Sequence, residues 1–174
     1  MPTAGATLAE TNLGFAWRPH DSTRWAAFGR YTYLYDLASL GQVGGAQYDQ
    51  RTQVLSFEGV HRFDDRWELA GKLALRRGEY RMGRGTGAWL DAAANFASLQ
   101  LRYRLAGKWD GLAEFRRLGV TDGGSSQGWL VGVDRQISDH LRIGAGYNFT
   151  GFSEDMTDLR QDDHGWFLNL VGYY

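Results

Sequence analysis

The densest run of chemically capable side chains is "SEDMTDLRQDDH", residues 153–164, where Glu154, Asp155, Asp158, Asp162 and Asp163 lead up to His164. Carboxylates beside an imidazole can activate water or hold a hard divalent cation. The spacing matches no ligand or triad rule, so a solvated acidic loop is the first reading. A calcium or magnesium site built on Asp155, Asp158, Asp162 and Asp163 is a weak second, and hydrolysis through 154–164 a weaker third. The other histidines are dispersed: His20 and His140 fall in short polar turns, and His61 follows an apolar phase. Ser125 and Ser126 sit in a glycine-rich stretch with no base beside them in sequence. No nucleotide loop, zinc spacing or catalytic triad motif is present. With no cysteine, disulfides and thiolate metal sites are out. The expectation is a protein that is not an enzyme and carries no cofactor.

Any such residue would have to be positioned by strands. In "NFASLQLRYRL", residues 95–105, Ala97, Leu99, Leu101, Tyr103 and Leu105 share one phase, and Ser98, Gln100, Arg102 and Arg104 the other. A period of two belongs to a strand and cannot come from a helix. The same alternation runs through "TNLGFAWR", "RWAAFGRYTYLYD", "VLSFEGVHRF", "WELAGKLALR" and "LRIGAGYNFTG". Nine strands are predicted, over roughly 5–18, 24–38, 52–63, 66–80, 90–106, 110–120, 127–137, 140–153 and 164–174, and no helix. Several reach the ~9–11 residues that cross a bilayer when tilted. Between them, tight polar turns ("PHDST", "FDDR", "AGKWD", "ISDH") alternate with longer connections ("ASLGQVGGAQYDQRT", "YRMGRGTGAW", "VTDGGSSQ", "SEDMTDLRQDDH"). An up-and-down barrel in an outer membrane sorts its loops in this way.

The two phases differ in chemistry. Trp17, Trp25, Phe63, Trp67 and Trp109 lie beside short turns, and Tyr33, Tyr35, Phe149, Phe152 and Trp166 toward the long connections, which reads as two interfacial aromatic girdles. The opposite phase carries Glu10, Arg18, Arg30, Glu58, Arg62, Glu68, Lys72, Arg76, Arg102, Arg104, Glu114, Arg116 and Arg142. A soluble barrel with those charges inside and aromatics outside would be inverted. The predicted fold is therefore all-β: one domain, 1–174, forming an antiparallel up-and-down transmembrane β-barrel of eight to ten strands with these charges facing the lumen. Ion-paired charges filling a narrow lumen are the first reading of that interior, and a narrow anion-favouring channel is the second. Charge is balanced, 19 basic against 20 acidic residues, which implies no nucleic-acid partner. No apolar run approaches a transmembrane helix, and "MPTAGATLAETNLG" has no signal-peptide pattern. If the protein is exported, the chain is expected to be a mature form or a piece of something longer.

The last stretch, "RIGAGYNFTGFSEDMTDLRQDDHGWFLNLVGYY", resembles the C-terminal barrel that closes large, repeat-bearing surface proteins of Gram-negative bacteria. The residues that carry the resemblance are Gly144, Gly146, Tyr147, Asn148, Phe149, Thr150, Phe152, Ser153, Asp155, Thr157, Asp158 and Leu159, then Gly165, Trp166, Phe167, Asn169, Val171 and Gly172. It is dense over about the last 35 residues and looser in "AWRPHDSTRWAAFGRYTYLYDL". The resemblance implies a place, the bacterial outer membrane, and a fold, more than an activity. Trp166, Leu168, Leu170 and Tyr174 resemble the terminal signal read by the outer-membrane insertion machinery, from which Gly172 departs. Nine strands leave a parity problem, since bacterial barrels normally have an even count: ten, with a strand before residue 1, is the preferred expectation, and eight, with one of these segments folded over as a loop, is the second. The leading function is a membrane anchor or translocation domain for upstream domains of the same polypeptide, and the alternative is a free-standing small porin. Expected partners are the lipid bilayer and lipopolysaccharide, whose phosphates the basic stretch 76–87 could meet.

Overall fold

The computed structural model describes residues 7–37, 48–82, 87–121, 123–152, 156 and 164–172. Ten strands form one antiparallel sheet: β1 (Thr7–Trp17), β2 (Trp25–Leu37), β3 (Tyr48–Arg62), β4 (Trp67–Met82), β5 (Leu90–Asp91), β6 (Ala94–Arg104), β7 (Trp109–Val120), β8 (Gly124–Ser138), β9 (Leu141–Asn148) and β10 (Gly165–Gly172). Their spatial order is β1-β2-β3-β4-β6-β7-β8-β9-β10, with two-residue β5 lying beside β4, so the sheet is an up-and-down meander without a crossover. Nine of these overlap the strands that the alternation predicts, but the strand expected over 90–106 is broken: Leu90–Asp91 pairs separately with Tyr80 and Glu79 as β5, and Ala94–Arg104 continues as β6.

Because side chains alternate and cross-strand partners share a face, the register assigns every strand residue to one side. One row runs Ala26, Val60, Ala70, Gln100, Glu114, Leu130, Asn148 and Gly165. Even-numbered residues of β1 to β9 and odd-numbered residues of β10 make up this face. The sheet curls around it. Glu58 on β3 and Phe167 and Asn169 on β10 line one cavity, and Arg102 on β6 comes within 3.7 Å of Asp134 on β8. Among the described residues β1 pairs only with β2 and β10 only with β9, so hydrogen bonds do not close the sheet.

The turns explain where strands stop, and they correct several expected boundaries. Gly107 (φ 70°) and Lys108 (φ 69°) both adopt left-handed backbone between β6 and β7, as a primed hairpin turn requires. The connection 121–123 between β7 and β8 is also tight: Gly123 N–H donates to the Val120 carbonyl at 3.1 Å, and Gly124 takes φ 82°. A long connection was expected there. The glycines instead let the hairpin close and β8 start three residues early, so loop lengths do not alternate strictly. β3 likewise begins at Tyr48, because residues 48–52 extend its ladder with β4 through the expected loop. β9 ends sooner than expected, at Asn148, whose side-chain oxygen accepts from both the N–H (3.0 Å) and the hydroxyl (2.5 Å) of Thr150. That Asx-type turn takes the chain out of the ladder.

Candidate functional site

The convex face is apolar and uncovered. Leu13, Phe15, Leu55, Phe57, Leu73, Leu75, Leu99, Val131, Ile143, Leu168 and Leu170 are all exposed, Leu73 at 63% and Leu168 at 87%. Aromatic clusters flank this belt. At the short-turn end Trp25 stacks on His61 with ring centroids 3.8 Å apart, and His61 meets Phe63 edge-on. Trp67 leans on Tyr103 there, and Arg135 lies 5.3 Å from the Trp109 ring centroid. At the other end Phe115 packs on Trp129, and Tyr147 contacts Phe149, His164 and Trp166. Trp17, Trp25, Trp67, Trp109, Tyr33, Tyr35, Phe149 and Trp166 all share this convex side. So do Leu168 and Leu170, while Tyr174 lies outside the described residues.

A polar cluster caps the belt at the long-connection end. The Trp89 ring meets two guanidinium groups, Arg51 at 4.5 Å and Arg81 at 4.7 Å from its centroid. Arg51 pairs with Glu79, and Arg81 pairs with buried Asp49 at 2.6 Å. Sequence reading missed this cluster, because a charge at the apolar phase near a strand end carries no sign of its partner. The basic stretch 76–87 is thereby divided: Arg76 is buried on the concave side against Thr52 (3.2 Å), whereas Arg81 joins the outer stack. Residues 83–86 lie outside the described set.

The concave side has three layers. At the short-turn end a cavity of about 250 Å³ is lined by Arg62, Glu68, Arg102, Arg104, Asp110 and Arg142, among others. Arg62 pairs with Glu68 (3.0 Å), and Asp110 bridges Arg104 (3.7 Å) and Arg142 (3.6 Å). In the middle a cavity of about 300 Å³ meets Glu58, Lys72, Gln100, Glu114 and Arg116. Here Glu114, itself buried, accepts from Arg116 Nε at 2.9 Å and from Gln100 at 3.2 Å. Of the thirteen charges expected on one face, twelve share this side. Arg18 lies one residue past β1 and is exposed, as are Glu10 and Arg30 beside the open edge.

The third layer is apolar, and it overturns one expectation. Phe152, expected among the outer aromatics, is only 4% exposed. With Met156 it packs on Val54, Ala74, Ala94, Phe96 and Leu118, all from the concave face. Of the described residues between β9 and β10, Thr150, Phe152 and Met156 thus turn inward at the long-connection end. Gly128 makes room: a Cβ there would come 2.7 Å from the Thr150 methyl. Lys72 Nζ, 5.8 Å from the Phe96 ring centroid, marks the border between this plug and the charged middle. A signal was available, since Phe152 is in phase with Arg142, Asn148 and Thr150, and Phe96 with Ser98 and Gln100. The described concave side therefore carries ion pairs around two polar cavities and, at the long-connection end, an apolar cluster that was not foreseen.

The acidic candidates Glu154, Asp155, Asp158, Asp162 and Asp163 lie outside the described residues. Among the described residues no three histidine, aspartate or glutamate side chains gather to hold a metal. His20 and His140 are exposed in short turns. No family description, curated protein or solved structure matches the chain.

Proposed function

We propose that this chain is a membrane-spanning β-barrel domain of the bacterial outer membrane that anchors a larger surface protein and is plugged at rest. One observation carries the reading: large apolar side chains stand exposed on the convex face while Arg76, Glu114, Arg116 and Asp134 are buried on the concave one. In water that arrangement leaves a continuous apolar surface unburied, and in lipid it is the expected one. The dimensions agree. Trp25 and Tyr33, on one side of β2, are about 27 Å apart along the strand at ~3.4 Å per residue. A tilt of ~40° reduces this to about 20 Å, near the ~25 Å apolar band of such barrels.

The anchor reading is preferred to the porin because the Phe152–Met156 plug stands across one end. The two polar cavities favour a narrow channel as the second reading, reached if the plug leaves. The resemblance of the last 35 or so residues to barrels that close surface proteins supports the anchor and the terminal signal for insertion. Lipopolysaccharide is the partner that the outer Arg51–Trp89–Arg81 stack would meet.

The chain is to be refolded in detergent micelles and run on a denaturing gel with and without boiling. A heat-dependent shift, with β-rich circular dichroism that needs the detergent, is the expected outcome. A folded soluble monomer in plain buffer without a shift would refute the reading.

A further inference from the structure

We propose that the arginine-lined cavity at the short-turn end of the concave side binds a small soluble oxyanion of the phosphate class. Strand ends build it. Arg62 closes β3, Arg104 closes β6 with Arg102 next to it on the same face, and Arg142 is the second residue of β9. The β3–β4 turn is tied in by Arg104, whose N–H donates to the Arg66 carbonyl at 2.8 Å. No lining residue lies on β1 or β10, so the open edges of the sheet do not enter the site.

The guanidinium groups are positioned there without being satisfied. Arg102 stands 3.7 Å from Asp134, and Arg104 3.7 Å from Asp110, contacts too long for hydrogen bonds. Among the described residues neither guanidinium makes a hydrogen bond, and Arg102 Nε is buried without a partner. A buried donor left in that state carries a desolvation cost that an acceptor in the cavity would offset. Accessibility then decides the sign. Five arginines and four carboxylates line the cavity, but they are not equally reachable. The side chains of Arg62 and Arg104 are at least half exposed, whereas Asp110 and Asp134 are buried. Asp64 is turned to the backbone N–H groups of Arg66 and Trp67. A solute entering the cavity therefore meets mainly guanidinium.

The walls also select the ligand. Guanidinium forks match the paired oxygens of a phosphate or carboxylate, and chloride offers no such pair. Arginines converge from β3, β6 and β9, a convergence that suits a tetrahedral ion with acceptors in several directions better than a planar carboxylate. The cavity, about 250 Å³, is smaller than the ~300–1,000 Å³ that drug-sized ligands occupy, so the ion is small. A phospholipid headgroup is the other source of phosphate, but its chains would hold it on the convex side. The site uses only the concave face, and it stands whether or not the convex face lies in lipid.

The test titrates sodium phosphate into chain 1–174 folded in maltoside micelles, whose headgroups carry no phosphate, and follows the heat against sodium chloride at equal ionic strength. One saturable site for phosphate, absent with chloride, is the expected result. Arg104→Gln should weaken it at least about tenfold, the equivalent of one charge-assisted hydrogen bond. Arg104→Lys keeps the charge but not the fork and should recover only part of that loss. Arg62→Gln is the second variant should Arg104→Gln fail to fold, and Arg30→Gln, outside the cavity, should bind as the native chain does. Equal heats with phosphate and chloride, or equal weakening by Arg30→Gln and Arg104→Gln, would show general charge screening and overturn the site. Native affinity in a folded Arg104→Gln would do the same. So would binding seen only when an anionic phospholipid is added to the micelles. Failure of the membrane reading is a separate result: a chain that folds in plain buffer with no gel shift is titrated there, with the same outcomes for the site.

Discussion

Cutting Phe152 back to alanine, together with Met156, should release the segment that closes the interior. The Phe152 ring is almost wholly buried, lies edge-on to Phe96 with centroids 6.4 Å apart, and shares a cluster with Met156 and five side chains of the wall. Removing a packed phenylalanine costs about 3–5 kcal/mol, more when the surroundings cannot collapse. Here they cannot, because the wall strands are held by their ladders and Ala74 and Ala94 have nothing to extend. Even about 3 kcal/mol shifts the docked-to-released ratio more than a hundredfold. The loss to global stability is smaller, since releasing the plug leaves the ladders intact and cannot cost more than its docking energy. In a planar bilayer the native chain should be almost silent, and Phe152→Ala/Met156→Ala should show discrete openings, with only a modest fall in the midpoint of the gel shift. Gly128→Val tests the same device from the wall, because a side chain there collides with Thr150. Openings of equal frequency in native and double variant would refute the plug. So would a double variant that stays silent while fully folded.

Three further predictions address the other layers. Glu114→Ala strands the buried Arg116 guanidinium and should destabilise the fold by roughly 3 kcal/mol, the low end for a broken buried pair because the adjacent cavity admits water. Denaturant titration in micelles measures it, and Glu114→Leu with Arg116→Met should recover most of the loss. Leu73→Arg, in the middle of the convex belt, should cost about 2–4 kcal/mol in lipid; an unchanged midpoint would count against the membrane reading, since a water-exposed site tolerates arginine. Asp64 accepts from the backbone N–H groups of Arg66 (2.7 Å) and Trp67 (2.8 Å), in that order of effect, which holds its carboxyl below the ordinary carboxylate range. Its folded pKa being lowered, its contribution is complete above the ordinary carboxylate pKa and fades as pH falls through the lowered value. The protection of the Arg66 and Trp67 amides, relative to their intrinsic exchange at each pH, should therefore fall as pH drops below the ordinary carboxylate range, and Asp64→Asn should remove that dependence.

Much of the candidate site was legible because a strand's side-chain period is two. Once "NFASLQLRYRL" and its counterparts are recognised as strands, the phase of each residue follows, so Arg102, Glu114 and Arg142 had to share a side and Leu99, Trp109 and Trp25 the other. No long-range information is needed for that. What phase does not convey is who meets whom. That Asp110 bridges Arg104 and Arg142, or that Trp89 meets both Arg51 and Arg81, depends on register and curl, which arise from contacts distant in sequence.

The boundaries divided on the same principle. Alternation says that a strand exists but not where its partner stops pairing, so the 121–123 turn and the early start of β3 came from the ladders themselves. By itself the sequence determined the all-β class, the sequential strand order and the two opposed faces, because these follow from local geometry repeated along the chain. Only the tertiary structure decided that the chain leaves the ladder after Asn148 and buries Phe152 and Met156. A loop residue's burial is set by the space that Gly128, Ala74 and Ala94 leave for it, and those lie on three other strands.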